Sequence, residues 1–186
     1  LIEAVRTELS ALTKHGVSLY IMHGNRDFLI GDAFCADVGA TLLQDPTIIS
    51  LAGEQTLLMH GDSLCTDDQE YMQFRKMLRN PAWQQDALKK PLEERRAIAK
   101  HLRMASSEAN SNKAEDIMDV NADAVNSALM EHGCTRLIHG HTHRPYRHQL
   151  TINQQPAERI VLGDWDGSVW YLTDEGESLS LRSTPF

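Results

Sequence analysis

The chain has 186 residues, of which 41% are hydrophobic and 24% are charged, a composition that suits one globular domain over residues 1–186 with a sizeable core. Its three scattered cysteines, Cys35, Cys65 and Cys134, argue against a disulfide framework and fit a reducing cytoplasm. The net charge is −8, and no apolar run approaches the ~18 residues that a membrane-spanning helix needs.

The first third of the chain contains a predicted helix and two predicted strands. Residues 1–12 space their apolar side chains as an amphipathic helix does. The apolar segment Val17–Met22 runs into the loop Gly24-Asn25-Arg26-Asp27, and the segment Thr56–Met59 runs into His60-Gly61-Asp62. Each predicted strand therefore ends in a glycine-containing loop that carries imidazole, amide or carboxylate groups.

A basic segment follows these strands. Residues 75–113 hold ten of the eighteen lysine and arginine residues but four of the twenty-six acidic residues, so this segment is +6 and the remainder is −14. The pattern predicts helices over residues 68–79, from Pro81 and from Pro91, because proline favours the first turn of a helix. We interpret residues 67–116 as a helical cap inserted over a site that the rest of the domain forms.

Four basic residues in the third of these helices can share one face, which leaves apolar residues for another. Basic helices with apolar flanks fit an anionic bilayer surface, whereas the alternative is a solvated helical hairpin whose charges serve only solubility. Nucleic acid is not expected as a partner, because aromatic residues make up only 6% of the chain and the remainder is acidic. The four residues are Arg95, Arg96, Lys100 and Arg103.

The third predicted strand, Cys134–His139, runs into Gly140-His141-Thr142-His143. Two histidines separated by one residue point to opposite faces of an extended segment, so they reach one region only if the backbone turns between them. The flanking Gly140 and Pro145 permit that turn. Because ligands collect beyond the carboxyl ends of strands in α/β proteins, the three loops together predict a metal site.

The other histidines are not expected to bind metal. His23 and His139 each precede a loop glycine, and we expect them to orient or pack. The remaining four have no such context and are interpreted as surface residues: His15, His101, His132 and His148.

The last part of the chain reads as four short strands joined by turns rich in Asn, Asp and Gly. Helices precede these strands and bracket the earlier ones, so the pattern predicts a layered α/β fold in which helices flank two central β-sheets. The four segments are 147–152, 159–163, 168–173 and 178–182.

The three loops resemble the last three sequence blocks of the calcineurin-like metallophosphoesterases, which are Gly-Asn-His-Asp/Glu, a single His and Gly-His-x-His. They occur in that order as Gly24–Asp27, His60 and Gly140–His143. The first two blocks of the family, Asp-x-His and Gly-Asp-x-x-Asp, are not in the chain. Since the chain opens inside a helical pattern without an initiator Met, we expect the C-terminal portion of a longer protein, with this family's sandwich fold N-terminally incomplete.

The resemblance implies two divalent metal ions, with Mn²⁺ favoured over other divalent metals. Carried over residue by residue, Asn25, His60 and His141 would bind the second metal and His143 the first. The carboxylate that bridges the two metals in the family belongs to a block that this chain lacks. We therefore expect the 186 residues alone to bind metal weakly and to hydrolyse little, and the full-length protein to be active.

Further segments resemble, more narrowly, the diphosphatases that act on UDP-2,3-diacylglucosamine in lipid A biosynthesis; these are 62–68, 106–113 with 117–121, and 137–145. That family implies hydrolysis to UMP and 2,3-diacylglucosamine 1-phosphate by a peripheral protein at the cytoplasmic face of the bacterial inner membrane. It implies that Asn25, Arg26 and His141 contact the diphosphate. It also implies contacts of the UDP-glucosamine moiety with Asp68, Ser106, Asn110 and Lys113.

Arg26 stands where many metallophosphoesterases carry a histidine that can protonate an alkoxide leaving group. A guanidinium group stays protonated and cannot act as a general acid, so Arg26 can only position and neutralise phosphoryl oxygens. A phosphate monoester needs little protonation to leave, so Arg26 favours diphosphate cleavage. Asn25 and Arg26 are thus the expected catalytic residues, and the alternative for Arg26 is a salt bridge to Asp27 or Asp32.

Two other functions stay open on the sequence. A different metallophosphoesterase, acting on nucleotides or phosphoproteins, would keep the metal residues but need not keep Arg26 or the polar stripe Ser106, Asn110 and Lys113. A non-catalytic binding module with a degenerate metal site would also lack the first two sequence blocks.

Overall fold

The computed structural model describes residues 2–111 and 117–186, without the side chains at 107 and 109–111. The chain forms two compact units, one comprising Leu1–Asp62 with Val125–Phe186 and the other comprising Ser63–Ala124. The three predicted loops belong to the first unit, and the basic segment belongs to the second.

The described residues contain six α-helices and nine strands. The helices are α1 (Ile2–Lys14), α2 (Asp32–Val38), α3 (Gln69–Leu78), α4 (Pro81–Lys89), α5 (Leu92–Ser111) and α6 (Ala122–His132). The strands are β1 (Leu19–Met22), β2 (Ala40–Leu43), β3 (Thr47–Leu51), β4 (Glu54–Met59), β5 (Arg136–His139), β6 (Tyr146–Ile152), β7 (Gln155–Val161), β8 (Ser168–Asp174) and β9 (Leu179–Pro185).

The largest sheet has five strands in the order β3-β4-β5-β7-β6. Its central strands β4, β5 and β7 are parallel, and β3 and β6 pair antiparallel at the two edges. Because Met59 on β4 pairs with His139 on β5, these two strands end side by side. The loops that follow them, which begin with His60 and Gly140, therefore leave the same edge of the sheet.

Two smaller sheets hold the other described strands. Strands β1 and β2 form a parallel pair, and β8 and β9 form an antiparallel hairpin. The α/β class predicted from the sequence is therefore confirmed, and β1, β4 and β5 confirm the three predicted strands that precede the loops. The described strands form three hydrogen-bonded sheets, whereas the sequence predicted two, and the layering of a metallophosphoesterase sandwich stays a prediction.

Strand β5 lies at the centre of the five-stranded sheet, and all four of its residues are buried. Ile138 of β5 packs with Ile160 of β7 and Leu179 of β9, while Leu137 is fully buried. Removing such a side chain from water stabilises the folded state by roughly 1.5–3 kcal/mol. This packing fixes β5 and, with it, the start of the loop that carries His141.

A buried ion pair network joins β5, β6 and β7. Arg136 is 9% exposed, and its Nε lies 2.6 Å from Glu158 Oε1, while Arg147 Nη2 lies 2.6 Å from Glu158 Oε2. Burial alone would raise the pKa of Glu158, but the hydrogen bonds and charges of Arg147 and Arg136 outweigh burial and lower that pKa. Glu158 is thus held ionised between two guanidinium groups.

The second unit contains α3, α4 and α5, which confirm the predicted helices. Helix α3 begins after Asp68, whose carboxylate accepts a hydrogen bond from the Tyr71 amide at 3.0 Å. Helix α4 carries Pro81 in its first turn, and the Asn80 side chain accepts hydrogen bonds from two amides of that turn. That this unit caps the site stays a prediction, as do the cap bounds 67–116.

Helix α1 confirms the predicted amphipathic helix, but α2, β2 and β3 were not predicted. Helix α2 ends at Gly39 with a φ of 72°, and β2 begins at the next residue, so no loop separates the two elements. Strand β7 starts earlier than predicted, because Asn153 and Gln154 close a two-residue hairpin with φ values of 51° and 64°. None of the helices in the described ranges is long and apolar enough to cross a membrane.

Candidate metal centre

His60 and His141 lie together at the carboxyl ends of β4 and β5. Their ring centroids are 5.0 Å apart, with an angle of 69° between the ring planes. The Gly140 amide donates a hydrogen bond to the His60 carbonyl at 3.0 Å, so the two loops are also joined through their backbones. The structure thus brings together two of the residues that the sequence assigned to one metal ion.

The loop after β1 reaches the same place from a different sheet. A side-chain carbon built at Gly24 would lie 3.3 Å from Cε1 of His60, so this loop lies directly against the His60 ring. Asp27 Oδ1 accepts a hydrogen bond from the Gly24 amide at 2.5 Å and closes the loop on itself. Asn25, the next residue after Gly24, is therefore carried into the neighbourhood of His60.

The turn between the two predicted metal histidines is built differently from the prediction. His141 and His143 themselves adopt the left-handed conformation, with φ values of 65° and 54°, whereas Gly140 has no positive φ. The Thr142 amide closes the turn by donating to the Gly140 carbonyl at 2.7 Å. The expected turn is present, and the two histidines rather than Gly140 carry its unusual backbone, which is less costly for histidine than for most residues.

His143 faces a carboxylate that the sequence analysis did not single out. Its Nδ1 lies 3.4 Å from Asp164 Oδ2, and both side chains are partly exposed. The segment from Asp164 to Gly167 was read only as a turn between strands. The contact joins two loops that are remote in sequence. The one sign of it in the sequence is an Asp in a loop that follows a strand.

Arg26 is exposed, and it forms no ion pair with any residue that the structure describes. The alternative of a salt bridge to Asp27 or Asp32 is therefore not found there. Asp27 instead holds the Gly24 amide. The guanidinium group of Arg26 is available at the surface for an anion.

His23 and His139 confirm the supporting role expected for them. His23 Nε2 lies 2.5 Å from the Ile30 carbonyl, and His139 is 1% exposed with its Nδ1 2.9 Å from the Gly140 carbonyl. The expectation of four surface histidines was wrong for two of them. His132 and His148 are half-buried, since His132 Nδ1 contacts the Ala128 carbonyl at 2.8 Å and His148 packs on the Tyr146 ring.

The donor groups fit part of a metal shell. Two imidazoles meet at one edge of the sheet, and an amide side chain follows in the adjoining loop; all three are donors that a divalent transition metal accepts. Among the described residues, however, no three His, Cys, Asp or Glu side chains gather as metal ligands do. Any ion held by this chain alone must therefore use Asn25 or another donor beside His60 and His141.

The residues expected to contact the nucleotide sugar belong to the second unit. Asp68 is 6% exposed and already caps α3, and Ser106 lies half-buried on α5. The side chain of Asn110 and the whole of Lys113 lie outside the described residues. Their contacts with a substrate stay predictions.

No protein-family model matches the chain. The chain is similar to the UDP-2,3-diacylglucosamine hydrolase of Chromohalobacter salexigens, with 53% identity over 95% of this chain and 71% of that protein. It is 51% identical to the UDP-2,3-diacylglucosamine hydrolase of Cellvibrio japonicus over 97% of this chain and 75% of that protein. The protein of the same name from Marinobacter nauticus is 50% identical over 98% of this chain and 75% of its own length.

Proposed function

The chain belongs to the family of the UDP-2,3-diacylglucosamine hydrolases, and from this premise we propose that it hydrolyses the diphosphate bond of UDP-2,3-diacylglucosamine in lipid A biosynthesis. The observation that carries the proposal is an identity of 50% or more over at least 95% of the chain. In the reaction, water adds to one phosphorus and the bridging oxygen leaves with the other phosphate. The products are UMP and 2,3-diacylglucosamine 1-phosphate.

Arg26 supports cleavage between two phosphates. Its guanidinium group is exposed beside the loop that touches His60, and the described residues offer it no competing ion pair. Such a group can bind two phosphoryl oxygens at once and neutralise their charge, but it cannot give up a proton. It therefore suits a leaving group that departs as a phosphate monoester without being protonated.

His60, His141 and Asn25 would hold one divalent metal ion, for which we propose Mn²⁺. His143, whose Nδ1 lies 3.4 Å from Asp164 Oδ2, would contribute to a second ion. Bound there, the ions would supply polarisation of the phosphoryl oxygens and activation of water near neutral pH. The chain's own part is to fix the imidazoles at the sheet edge and to place Asn25 and Arg26 next to them.

The proposal extends to the fold and to the second unit. We propose that the three sheets and their helices form the layered sandwich of the metallophosphoesterases, with residues 67–116 as the cap that binds the substrate. The UDP-glucosamine moiety would be bound by Ser106 on α5 and by the predicted contacts Asp68, Asn110 and Lys113. The capping role of Asp68 is compatible with this, because a carboxylate has lone pairs beyond the one that accepts from Tyr71.

We also propose peripheral binding to the cytoplasmic face of the bacterial inner membrane. Arg96, Lys100 and Arg103 are exposed on α5, opposite the half-buried Ile98 and Leu102. Two large apolar side chains on the same helix are exposed as well, Leu92 by 53% and Met104 by 62%. Exposed basic and apolar groups on one helix are what an anionic lipid surface attracts.

The test is an assay of UDP-2,3-diacylglucosamine hydrolysis with Mn²⁺, in which UMP and the lipid phosphate are identified by mass spectrometry. It is run on the 186-residue chain and on the full-length protein that the sequence predicts, with bis(p-nitrophenyl) phosphate as a diester control. We expect UMP release by the full-length protein and slow cleavage of the diester. Fast diester cleavage without UMP release would instead favour a different metallophosphoesterase.

A further inference from the structure

His139 is 1% exposed at the end of β5, two residues before His141, and both of its ring nitrogens have a polar neighbour. Nδ1 lies 2.9 Å from the Gly140 carbonyl, and Nε2 lies 3.2 Å from Nη1 of Arg159. Strand register explains the second contact, since Arg159 on β7 pairs with Leu137 on β5, two residues before His139 and on the same face. A long side chain at position 159 can therefore reach the His139 ring.

The two contacts determine which nitrogen of His139 carries the proton. An arginine side chain has only donors, so Nε2 of His139 must accept the hydrogen bond from Arg159. A carbonyl has only acceptors, so Nδ1 must carry the hydrogen and donate it to Gly140 O. The two hydrogen bonds thus select the Nδ1–H tautomer of the ring.

The Gly140 carbonyl is the point at which His139 acts on the metal loop. This oxygen also accepts a hydrogen bond from the Thr142 amide at 2.7 Å, which closes the turn that carries His141. On the other side of the same residue, the Gly140 amide donates to the His60 carbonyl at 3.0 Å. The backbone of Gly140 therefore connects both metal histidines, and His139 holds its carbonyl in place.

Gly61 fixes the plane of the His139 ring. Its φ is +106°, and a side-chain carbon at this position would lie 2.7 Å from Nδ1 of His139. The loop that begins with His60 therefore closes over the ring edge with no room for a side chain. Rotation of the ring away from Gly140 would have to displace this loop.

We propose that Arg159 and His139 are positioning residues of the metal centre: Arg159 fixes the tautomer of His139, and His139 fixes the Gly140 carbonyl so that His141 is presented beside His60. In this proposal neither residue is itself a metal ligand. The role of a metal at this centre rests on the proposed function, whereas the hydrogen-bond chain itself does not.

The first test uses nuclear magnetic resonance of ¹⁵N-labelled histidines in the metal-free chain. We expect the two ring nitrogens of His139 to differ, with the proton on Nδ1. In Arg159→Met, which removes the donor, we expect that preference to weaken, and in Arg159→Lys, which keeps a donor, we expect it to persist. A proton on Nε2 of His139 in the unsubstituted chain would overturn the proposal.

The second test compares His139→Asn with His139→Gln. The amide nitrogen of Asn falls near the position of Nδ1 and can still donate to Gly140, whereas that of Gln falls near Nε2. Calorimetric titration with Mn²⁺ should show near-normal affinity in His139→Asn. In His139→Gln and Arg159→Met we expect a loss of about 10- to 100-fold, the usual effect of removing a group that orients a metal ligand.

Thermal unfolding of each variant separates positioning from folding. Equal losses of Mn²⁺ affinity in the Asn and Gln variants, in proportion to their loss of thermal stability, would show a structural role only and would overturn the proposal. If the His139 variants do not fold, the comparison of Arg159→Met with Arg159→Lys tests the proposal by the same criteria. Tautomer and affinity results as expected, without any release of UMP by the full-length protein, would refute the proposed function and leave this inference standing.

Discussion

The rings of His60 and His141 meet edge to face with their centroids 5.0 Å apart, although the two residues follow different strands. The contact exists because β4 and β5 are parallel and end in register, so their next residues share one edge of the sheet. Two imidazoles at that distance can both offer a ring nitrogen to one ion, so the predictions that concern metal begin with this pair.

Replacing either histidine should weaken the binding of Mn²⁺. We expect His60→Ala and His141→Ala each to lower the affinity by at least 10-fold, because each removes one of few donors. The double variant should be worse than either single one, since it leaves only Asn25 of the three proposed ligands. Calorimetric titration measures the affinity, and His15→Gln on the exposed end of α1 is the control. Full affinity in both single variants would contradict the centre described above.

Replacing Arg26 should reduce turnover more than it reduces stability. We expect Arg26→Ala to lower kcat/KM of the full-length protein for UDP-2,3-diacylglucosamine by about 100-fold or more, as the loss of a charge-stabilising donor does. Arg26→Lys should recover only part of this, because lysine cannot bind two oxygens with fixed geometry. The unfolding midpoint should not change, since Arg26 is exposed. Arg182→Ala, an exposed arginine of β9, should leave kcat/KM unchanged.

Gly61→Ala should be more damaging than Gly53→Ala. Both glycines have positive φ, +106° and +74°, so both alanine variants carry backbone strain of about 1–3 kcal/mol. Only at Gly61 would the added carbon collide with a ring, that of His139, because the space around Gly53 is open within 4 Å. Urea unfolding and Mn²⁺ titration should show a stability loss in both variants but a loss of metal affinity in Gly61→Ala alone.

Acid should destabilise the five-stranded sheet through Glu158. Its folded pKa is lowered from the ordinary value of about 4.3, so its stabilising contribution is complete above that pH and is lost as the pH falls through the folded pKa. Glu158→Gln should cost about 1–3 kcal/mol at neutral pH, because it removes the charged partner of the partly exposed Arg147 and leaves Arg136 paired only with Glu54. The difference between variant and unsubstituted chain, measured by urea unfolding, should shrink on acidification below pH 4.3. Glu175→Gln, in a surface pair with Arg182, is the control.

Neutralising the basic face of α5 should weaken membrane binding. Each basic residue near an anionic surface contributes about 1 kcal/mol, so changing the three exposed ones, Arg96, Lys100 and Arg103, to Gln should release the protein from vesicles that contain anionic phospholipid. Binding to neutral vesicles should not change. Co-sedimentation measures the bound fraction, and Lys14→Gln with Arg182→Gln tests whether overall charge alone is responsible. Arg95, which the sequence placed on the same face, is half-buried with its Nε buried and is left unchanged.

The predicted strands that precede the site loops were recoverable from the sequence because each is a short apolar run that ends in a loop with glycine. The helices of the second unit were recoverable because Pro81 and Pro91 mark their starts. The gathering of the loops that carry His60 and His141 followed from a general property of α/β proteins, in which ligand sites lie beyond the carboxyl ends of strands. The assignment of both histidines to one metal ion followed from the family resemblance. These signals are local and repeat along the chain, so no knowledge of tertiary contacts was needed.

Other features depend on contacts that the sequence does not display. Arg159 reaches His139 only because β7 pairs with β5 in one particular register. Asp164 faces His143 only because two loops converge. Helix α2 has a stop signal in Gly39, but its seven residues are too few to display a helical period. The structure of β3 depends on the strand with which it pairs.

The left-handed backbone at His141 and His143 has a consequence for anyone who evolves or engineers this protein. At those φ values glycine or asparagine would make the folded protein more stable than histidine does, by about 1 kcal/mol per position. A selection for heat resistance alone would therefore favour His141→Gly and His143→Asn. The selected proteins would be more stable but would lack the two proposed metal-binding histidines. Screens on this scaffold should select for turnover and thermostability together.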